Sequence, residues 1–217
     1  MSLFFLNEQL WFPPVEEAVE DGLLAVGGDL STERLLLAYH SGIFPWFSED
    51  IPMWWCPDPR FVLYPEELHI SKSMKSLLKK ETFEFTTNKA FDEVIYNCQQ
   101  KEREGQDGTW ITADVLNAYT RLHELGYAHS AEAWQNGKLV GGMYGIRLGN
   151  IFFGESMFSL VSNASKYAFI KFVQELKQDG VALIDCQVYT EHLESLGAVM
   201  IPRTEFIQKL KDLTGKI

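Results

Sequence analysis

The chain has 217 residues and a formal net charge of -11 at pH 7, with 46% hydrophobic and 23% charged residues. This composition is typical of a globular protein and excludes a largely disordered one. The negative charge argues against nucleic-acid binding by the overall field of the protein, so an RNA contact would require a local basic patch.

The N-terminal part of the sequence is rich in loops, prolines and aromatic residues, as in "WFPP", "FPWF" and "PMWWCPDPRFVLYPEEL". Within it, Ser31 is the predicted N-cap of a helix that runs through Leu35 to His40 and ends at Gly42. We therefore expect a small irregular domain over residues 1–62. The first residues lack a basic segment, and no apolar run approaches the ~20 residues of a membrane span, so we expect no membrane association and a cytoplasmic location.

The next segment, "HISKSMKSLLKK", has the spacing of a helix with a basic side. No acidic residue occurs between positions 67 and 81, although the chain as a whole is acidic. Two interpretations have about equal support, a solvated helix face and a contact with RNA phosphates. The lysines concerned are Lys72, Lys75, Lys79 and Lys80.

The remaining sequence predicts helices followed by an antiparallel meander and a crossover. "NKAFDEVIYNCQQ" reads as a helix capped by Asn88, and "ADVLNAYTRLHELG" as a helix that ends at Gly126. Turns at Asn136-Gly137 and Gly149-Asn150 join the predicted strands of the meander.

A crossover follows the meander. It consists of an amphipathic helix, capped by Ser162 or Asn163 and ended by Gly180, and of the strand "VALIDCQV"; a short helix capped by Thr190 comes next. This order predicts an α+β domain over residues 63–217, with a mixed sheet that is largely antiparallel.

Two predicted strands carry a carboxylate on an otherwise apolar face. In "VALIDCQV", Asp185 and Gln187 share a face with Leu183, and in "NIFFGESMF", Glu155 shares a face with Phe153. Because an unpaired buried carboxylate costs several kcal/mol, each needs a hydrogen-bond partner, a cationic ligand or an open cleft. A single such residue would most simply be a structural polar group, but two of them beside a glutamine indicate a site.

Motifs for nucleophilic, nucleotide-binding or metal chemistry are missing from the sequence. It has no GxSxG, P-loop or GxGxxG pattern and no ligand spacing among its histidines and its cysteines. We therefore expect no metal and reduced, structural thiols. The tryptophans in the proline- and glycine-rich loops favour packing over base stacking when each is considered alone.

Several longer motifs follow one another along nearly the whole chain: "GGDLSTERLLLAYHSGIFPWF", "WWCPDPRFVLYPEELHISKSM", "GTWIT", "YTRLHELGYAHS", "LVGGMYG", "FFGESMFS", "NASK" and "LIDCQV". Together they resemble the bacterial leucyl/phenylalanyl-tRNA-protein transferases. The resemblance implies transfer of leucine, phenylalanine or methionine from aminoacyl-tRNA to proteins that begin with Arg or Lys, which directs them into the N-degron degradation pathway. It also implies a C-terminal domain with a GNAT-like acyltransferase fold, without a cofactor, because "SLVSNASK" lacks the glycine-rich loop with which GNAT enzymes bind CoA.

The resemblance assigns roles to individual residues. Asp185 and Gln187 match the catalytic pair, and Glu155 matches its acidic partner in the acceptor site. The residues expected around the aminoacyl-adenosine are Tyr39, Trp46 and Trp110. The residues expected to form the apolar side-chain pocket are Met143, Phe172 and Ile184. The lysines expected to face tRNA phosphates are Lys72, Lys75, Lys79 and Lys80.

The expected reaction is direct attack of the acceptor amine on the tRNA ester, without ATP or a covalent enzyme intermediate. Asp185 either accepts the proton of the amine, through or beside Gln187, or only orients Gln187. Two alternatives of different kinds are an N-acyltransferase that uses acyl-CoA and a non-catalytic module that binds basic N-termini. Since no assembly signal is evident, we expect a monomer.

Overall fold

The structure, a computed structural model, describes residues 3–46, 51–100 and 111–215. The N-terminal part contains a four-stranded sheet with the order β1-β2-β4-β3. Its strands are β1 (Phe4–Leu6), β2 (Leu23–Gly27), β3 (Phe44–Pro45) and β4 (Met53–Trp55). The sequence predicted only irregular structure here, because strands of two to five residues are too short to show a period of two.

One α-helix, α1 (Thr32–His40), lies within this part, after a 3-10 helix at Val15–Glu17. Ser31 caps α1, since its hydroxyl accepts a hydrogen bond from the Arg34 amide at 3.4 Å. Gly42 follows the helix with a φ of 75°, a left-handed conformation that favours glycine. The predicted bounds of this helix are confirmed.

A second sheet has seven strands in the order β11-β5-β10-β9-β8-β7-β6. Only the β9–β10 pair is parallel among its described pairs, which confirms a mixed, largely antiparallel sheet. The strands are β5 (Arg60–Leu63), β6 (Glu84–Thr87), β7 (Ala128–Gln135), β8 (Lys138–Leu148), β9 (Ile151–Ser159), β10 (Leu183–Gln187) and β11 (Val199–Ile201). The boundary predicted between residues 62 and 63 falls within β5, and the division into two domains stays a prediction.

Helices cover both faces of the larger sheet. On one face α3 and α4 contact the meander, and on the other α5 does, with α2 packed against α5. The helices are α2 (Lys72–Lys79), α3 (Phe91–Gln100), α4 (Ala113–Glu124), α5 (Ala164–Gln178), α6 (Glu191–Glu194) and α7 (Arg203–Thr214), with a 3-10 helix at Pro65–Glu67. In the described ranges, no helix is long and apolar enough to cross a membrane.

The side chains of the central strands alternate between two hydrophobic clusters. Val62 and Leu183 belong to the cluster on the side of α3 and α4, whereas Leu63 and Ile184 belong to the cluster on the side of α5. This is the period of two expected for a sheet that is buried on both faces. Asp185, two residues after Leu183, therefore faces the side of α3 and α4.

Local signals at the turns are mostly confirmed. Asn136 and Gly137 both have positive φ values, 53° and 71°, as a two-residue hairpin turn requires. Asn88 does not cap α3: its side-chain oxygen accepts from the Ser130 amide at 3.0 Å, and the helix begins three residues later. Asn163 occupies the N-cap position of α5 but makes no capping hydrogen bond with its side chain.

Candidate active site

The parallel strands β9 and β10 separate after a short paired region. Their pairing ends at Asp185–Phe153, although β9 continues for several residues. A cavity of about 580 Å³ lies at this opening, and both Glu155 from β9 and Gln187 from β10 line it. The two functional candidates on different strands are thus brought to one site by the divergence of the strands.

Gln187 is positioned by an unusual backbone conformation. Its φ is 65°, in the left-handed region that non-glycine residues seldom occupy. The register of β10 against β5 also shifts between Asp185 and Gln187. The Oδ1 atom of Asp185 accepts a hydrogen bond from the Gln187 amide at 2.9 Å, and this bond holds the irregular backbone in place.

Asp185 forms a fully buried ion pair with Arg60. Arg60 Nε donates to Oδ1 at 2.8 Å and Nη2 donates to Oδ2 at 2.6 Å, and both side chains are 0% exposed. The guanidinium also lies 4.7 Å from the ring centre of Phe44 and 4.5 Å from that of Phe206. Burial acts to lower the pKa of Arg60, but the Asp185 charge outweighs it and the pKa is raised. Both carboxylate oxygens of Asp185 are therefore engaged by a cation.

Glu155 accepts three hydrogen bonds at the base of the cavity. Tyr39 donates to Oε1 at 2.7 Å, Gln187 Nε2 donates to Oε1 at 3.0 Å, and Tyr119 donates to Oε2 at 3.1 Å. Burial raises the pKa of Glu155 to about 7, and the nearby charge of Asp185 adds to the rise, whereas hydrogen bonds donated to the ionised carboxylate act to lower the pKa. A carboxylate with this pKa can gain and lose a proton near neutral pH.

Much of the remaining lining of the cavity is apolar. The aliphatic, thioether and aromatic side chains that line it include those of Met143, Met157, Phe169, Ile184 and Leu193. The N-terminal part of the chain closes one side through Phe44, Pro45 and Trp46. The site therefore combines a pocket suited to an apolar side chain with a titratable carboxylate and an amide.

Most of the residues predicted for the site meet in this cavity. Trp46, Met143 and Ile184 line it together with Glu155, Asp185 and Gln187, while Tyr39 lies behind Glu155 with its ring fully buried. Phe172, which was predicted to form part of the pocket, is not among the residues that line the cavity. Its ring packs edge-on against Phe152, at 5.1 Å between centres, in the core beneath the pocket, and Phe169 lines the cavity in its place. Trp110 lies outside the described residues.

Two residues of the site carried no recognisable signal in the sequence. Arg60 lies in a short strand whose pairing with β10 depends on the tertiary fold. Tyr119 has the spacing of the buried face of α4, together with Val115 and Leu122, so the pattern predicted core packing alone. Phe169 could have been found, because it lies one helical turn before Phe172 on the same side of α5.

The predicted lysine helix is confirmed as α2, and the predicted lysines are exposed. Ser71 caps α2 by accepting from the Met74 amide at 3.3 Å, while Met74 is buried. In the part of the chain that the structure describes, the ion pairs do not include these lysines. The helix therefore presents uncompensated positive charge at Lys72, Lys75, Lys79 and Lys80.

Cysteine and acidic side chains do not assemble a metal site in the described ranges. There, no group of three or more His, Cys, Asp or Glu residues could hold an ion. The three cysteines are buried, and burial raises the pKa of Cys56 and Cys186. These thiols are therefore poor nucleophiles at neutral pH.

Comparison with known proteins identifies the family of the chain. Residues 62–211 match the family model described as leucyl/phenylalanyl-tRNA protein transferase, and residues 28–58 match that of its N-terminal domain. A leucyl/phenylalanyl-tRNA–protein transferase of Flavobacterium johnsoniae is 59% identical over 210 residues, which cover 96% of this chain and 99% of the relative. One of Pectobacterium atrosepticum is 55% identical over 214 residues, which cover 97% and 90%.

The fold, the site and these matches define the chain as a transferase. It belongs to the leucyl/phenylalanyl-tRNA-protein transferase family. Solved structures with some similarity include a GCN5-related N-acetyltransferase of Anabaena variabilis, with a TM-score of 0.47 and 12% identity, covering 82% of this chain and 43% of that chain. L-PGS of Bacillus licheniformis has a TM-score of 0.41 and 13% identity, covering 79% and 57%. Since both scores are below 0.5, the fold class rests on the observed sheets.

Proposed function

We propose that this protein transfers leucine, phenylalanine or methionine from aminoacyl-tRNA to the α-amine of proteins that begin with Arg or Lys. The family moves an aminoacyl group from tRNA to protein, and the finer assignment of donor and acceptor is supported by the cavity. The observation that carries it is the apolar pocket beside the hydrogen-bonded pair Glu155 and Gln187. An unbranched or branched apolar side chain fits such a pocket, and a basic acceptor is complementary to the carboxylate.

The donor is an ester and the product is an amide, so the reaction needs no ATP at this step. A protein α-amine has a pKa of about 8, so roughly a tenth is neutral at pH 7 and can attack the ester carbonyl. After attack the nitrogen must lose a proton to a nearby base. Holding the amine and the ester together in one cavity supplies a further part of the rate.

Of the two carboxylates, the contacts favour Glu155 as the base. Both carboxylate oxygens of Asp185 accept hydrogen bonds from the Arg60 cation, and its side chain is 0% exposed. Glu155 instead accepts hydrogen bonds from uncharged groups and has a pKa of about 7. Asp185 is then a positioning residue: it holds the Gln187 amide, and the Gln187 side chain reaches Glu155. We propose this division of roles in place of proton transfer to Asp185.

Glu155 also accounts for attraction of a basic acceptor. Among the described residues that line the cavity, Glu155 is the carboxylate whose charge no cation offsets, because Arg60 neutralises Asp185. The net charge of the chain, -11, adds a favourable field for a cationic N-terminus. Because charged tRNA and new protein N-termini are both cytoplasmic, we place the reaction in the cytoplasm, where it would feed the N-degron pathway. We further propose that the protein acts as a monomer.

One transfer assay tests this function. Labelled Phe-tRNA or Leu-tRNA is mixed with peptides that begin with Arg, Lys or Ala and with an Nα-acetylated Arg peptide. We expect label in the Arg and Lys peptides only, and none when acyl-CoA replaces the tRNA. A folded protein that fails to label the Arg peptide, or labels the acetylated one equally, would contradict the proposal.

We also propose that α2 binds tRNA phosphates. Lys75→Ala/Lys79→Ala is expected to raise the KM for charged tRNA several-fold and to leave the KM for the peptide unchanged, because the charge removed lies on an exposed helix face. The slope of log affinity against log salt should fall by about 0.7–0.9 for each phosphate that a lysine no longer neutralises.

The matched control is Lys138→Ala/Lys211→Ala, which removes two exposed lysines elsewhere and changes the net charge equally. Filter binding of charged tRNA at several salt concentrations measures both slopes. If the two double variants weaken tRNA binding to the same extent, α2 has no specific role.

A further inference from the structure

Glu155 and two buried tyrosines form a closed ring of three oxygen–oxygen contacts at hydrogen-bond distance. Tyr39 Oη lies 2.7 Å from Glu155 Oε1, and Tyr119 Oη lies 3.1 Å from Glu155 Oε2. The hydroxyls of Tyr39 and Tyr119 are also hydrogen-bonded to each other. Both tyrosine side chains are fully buried, at 0% exposure.

The number of protons decides whether this ring can be complete. Burial and the charge of Glu155 raise the pKa of both tyrosines well above 10, so each keeps its one proton at neutral pH. When Glu155 is ionised, the three oxygen pairs share two protons, and one pair of oxygens faces each other without a hydrogen. An unmade hydrogen bond between buried oxygens is costly.

A third proton on Glu155 completes the ring. Glu155 Oε2–H then donates to Tyr119 Oη, Tyr119 O–H donates to Tyr39 Oη, and Tyr39 O–H donates to Glu155 Oε1. Each tyrosine hydroxyl then accepts one hydrogen bond and donates another, and the hydrogen bonds reinforce one another. The Gln187 amide brings its own hydrogen to Oε1, so it does not alter the count. All three oxygen–oxygen contacts of the ring are therefore hydrogen bonds when Glu155 is protonated, but only two are when it is ionised.

We propose that Glu155, Tyr39 and Tyr119 act together as a proton-holding ring, which takes the proton released when the acceptor amine attacks the ester and returns it to the departing ribose oxygen. This inference rests on the proposed function for the identity of the amine and the ester. It adds to that function a role for Tyr39 and Tyr119, which do not line the cavity and act through Glu155.

The step balances in protons and electrons. The neutral amine nitrogen forms a bond to the ester carbonyl carbon, and the carbonyl π pair moves to oxygen. Glu155 takes one N–H proton and becomes the carboxylic acid of the closed ring. The tetrahedral intermediate then re-forms its carbonyl and breaks the C–O bond to ribose, and the ribose oxygen leaves with the proton from Glu155. The ring returns to its starting state, with the amide and the free tRNA as products.

The other charged and titratable groups around Glu155 come from five neighbouring elements. Tyr39 comes from α1 and Tyr119 from α4, while Asp185 of β10 is paired with Arg60 of β5. Tyr144 of β8 packs edge-on against Tyr119, at 5.6 Å between ring centres. With the Asp185 charge offset by Arg60, the proton on Glu155 is the one that changes during the reaction.

Deletion of a ring hydroxyl distinguishes a ring from ordinary hydrogen bonding. Tyr119→Phe removes two hydrogen bonds from the protonated ring but one from the ionised state, so we expect the pKa of Glu155 to fall by about one unit. If Tyr119 were only a donor to the carboxylate, its loss would raise that pKa. We expect the same fall in the pKa of Glu155 for Tyr39→Phe, which is measured instead if Tyr119→Phe does not fold.

The measurement is a carboxyl ¹³C NMR titration of the full chain labelled in glutamate, with the Glu155 signal assigned by its loss in Glu155→Gln. Tyr167→Phe, which removes a buried hydroxyl in a different cluster, is the control and should leave this titration unchanged. Single-turnover transfer at saturating substrates should also fall about tenfold in Tyr119→Phe, without a change in KM for tRNA.

A Glu155 pKa that rises or stays constant in the phenylalanine variants would overturn the ring, as would an unchanged single-turnover rate. The titration needs no substrate, so its outcome is independent of the transfer assay. Wild-type protein that transfers nothing would overturn the proposed function, whatever the titration shows.

Discussion

Arg60→Met is expected to lower the free energy of unfolding by about 3–5 kcal/mol at pH 7. The substitution leaves the Asp185 carboxylate buried without its cation, and both side chains of the pair are 0% exposed. Methionine still fills the space between Phe44 and Phe206, so loss of packing contributes little. Urea unfolding followed by fluorescence measures the change.

The matched control is Arg121→Met, because Arg121 forms an ion pair of similar length, 2.8 Å to Glu124, in which both side chains are 58% exposed. Its removal should change the free energy of unfolding by less than about 1 kcal/mol. Equal losses in the two variants would show that burial of the Arg60–Asp185 pair has no special consequence.

The double variant Arg60→Met/Asp185→Leu separates stability from positioning. Replacing both members of a buried pair by apolar residues is often neutral or stabilising, so most of the lost stability should return. Transfer should still be slower than in the wild-type protein, because the Gln187 amide no longer has the Asp185 oxygen that holds its left-handed backbone. A double variant with the wild-type transfer rate would show that Asp185 does not position Gln187.

The sequence predicted the elements around the site better than the contacts within it. The presence of a carboxylate in each of the apolar strands β9 and β10 followed from the local pattern, but the register shifts at Glu155 and at Gln187 did not. Nor did the identity of the partners of these carboxylates. Arg60 is 125 positions from Asp185 along the chain, and the pairing of β5 with β10 is a property of the tertiary fold.

The bulge at Gln187 was also not predicted from the sequence. A regular strand would place Asp185 and Gln187 side by side on one face, whereas the register shift and the left-handed backbone aim the Gln187 side chain at Glu155. The period-two pattern therefore identified the residues, but it was equally consistent with Asp185 as the proton acceptor and with Asp185 as a residue that only orients Gln187. Burial of the ion pair, visible only in the fold, favours the orienting role.

Glu155→Gln is expected to reduce single-turnover transfer by about 10²–10⁴-fold, the usual effect of removing a general base. In the wild-type protein the rate should rise as the pH passes through about 7, since Glu155 must be ionised to accept the proton. In the variant, only the rise from deprotonation of the amine, with a pKa near 8, should remain. The exposed Glu16→Gln controls for the loss of one negative charge. A variant with the wild-type rate and pH profile would exclude Glu155 as the base.

Glu155→Gln, which is expected to lower activity, should raise the free energy of unfolding relative to wild type at high pH. The pKa of Glu155 is raised from 4.5 to about 7 in the folded state, so between these values the folded protein binds more protons than the unfolded chain. The contribution of Glu155 to stability is therefore greatest below pH 4.5 and is lost as the pH rises through about 7. Glutamine resembles the protonated acid and does not ionise. The variant should thus gain about 1–3 kcal/mol over wild type between pH 5 and pH 8.5 in urea unfolding, after allowance for partial exposure. A difference that stays constant over this range would mean that Glu155 does not hold its proton in the folded protein.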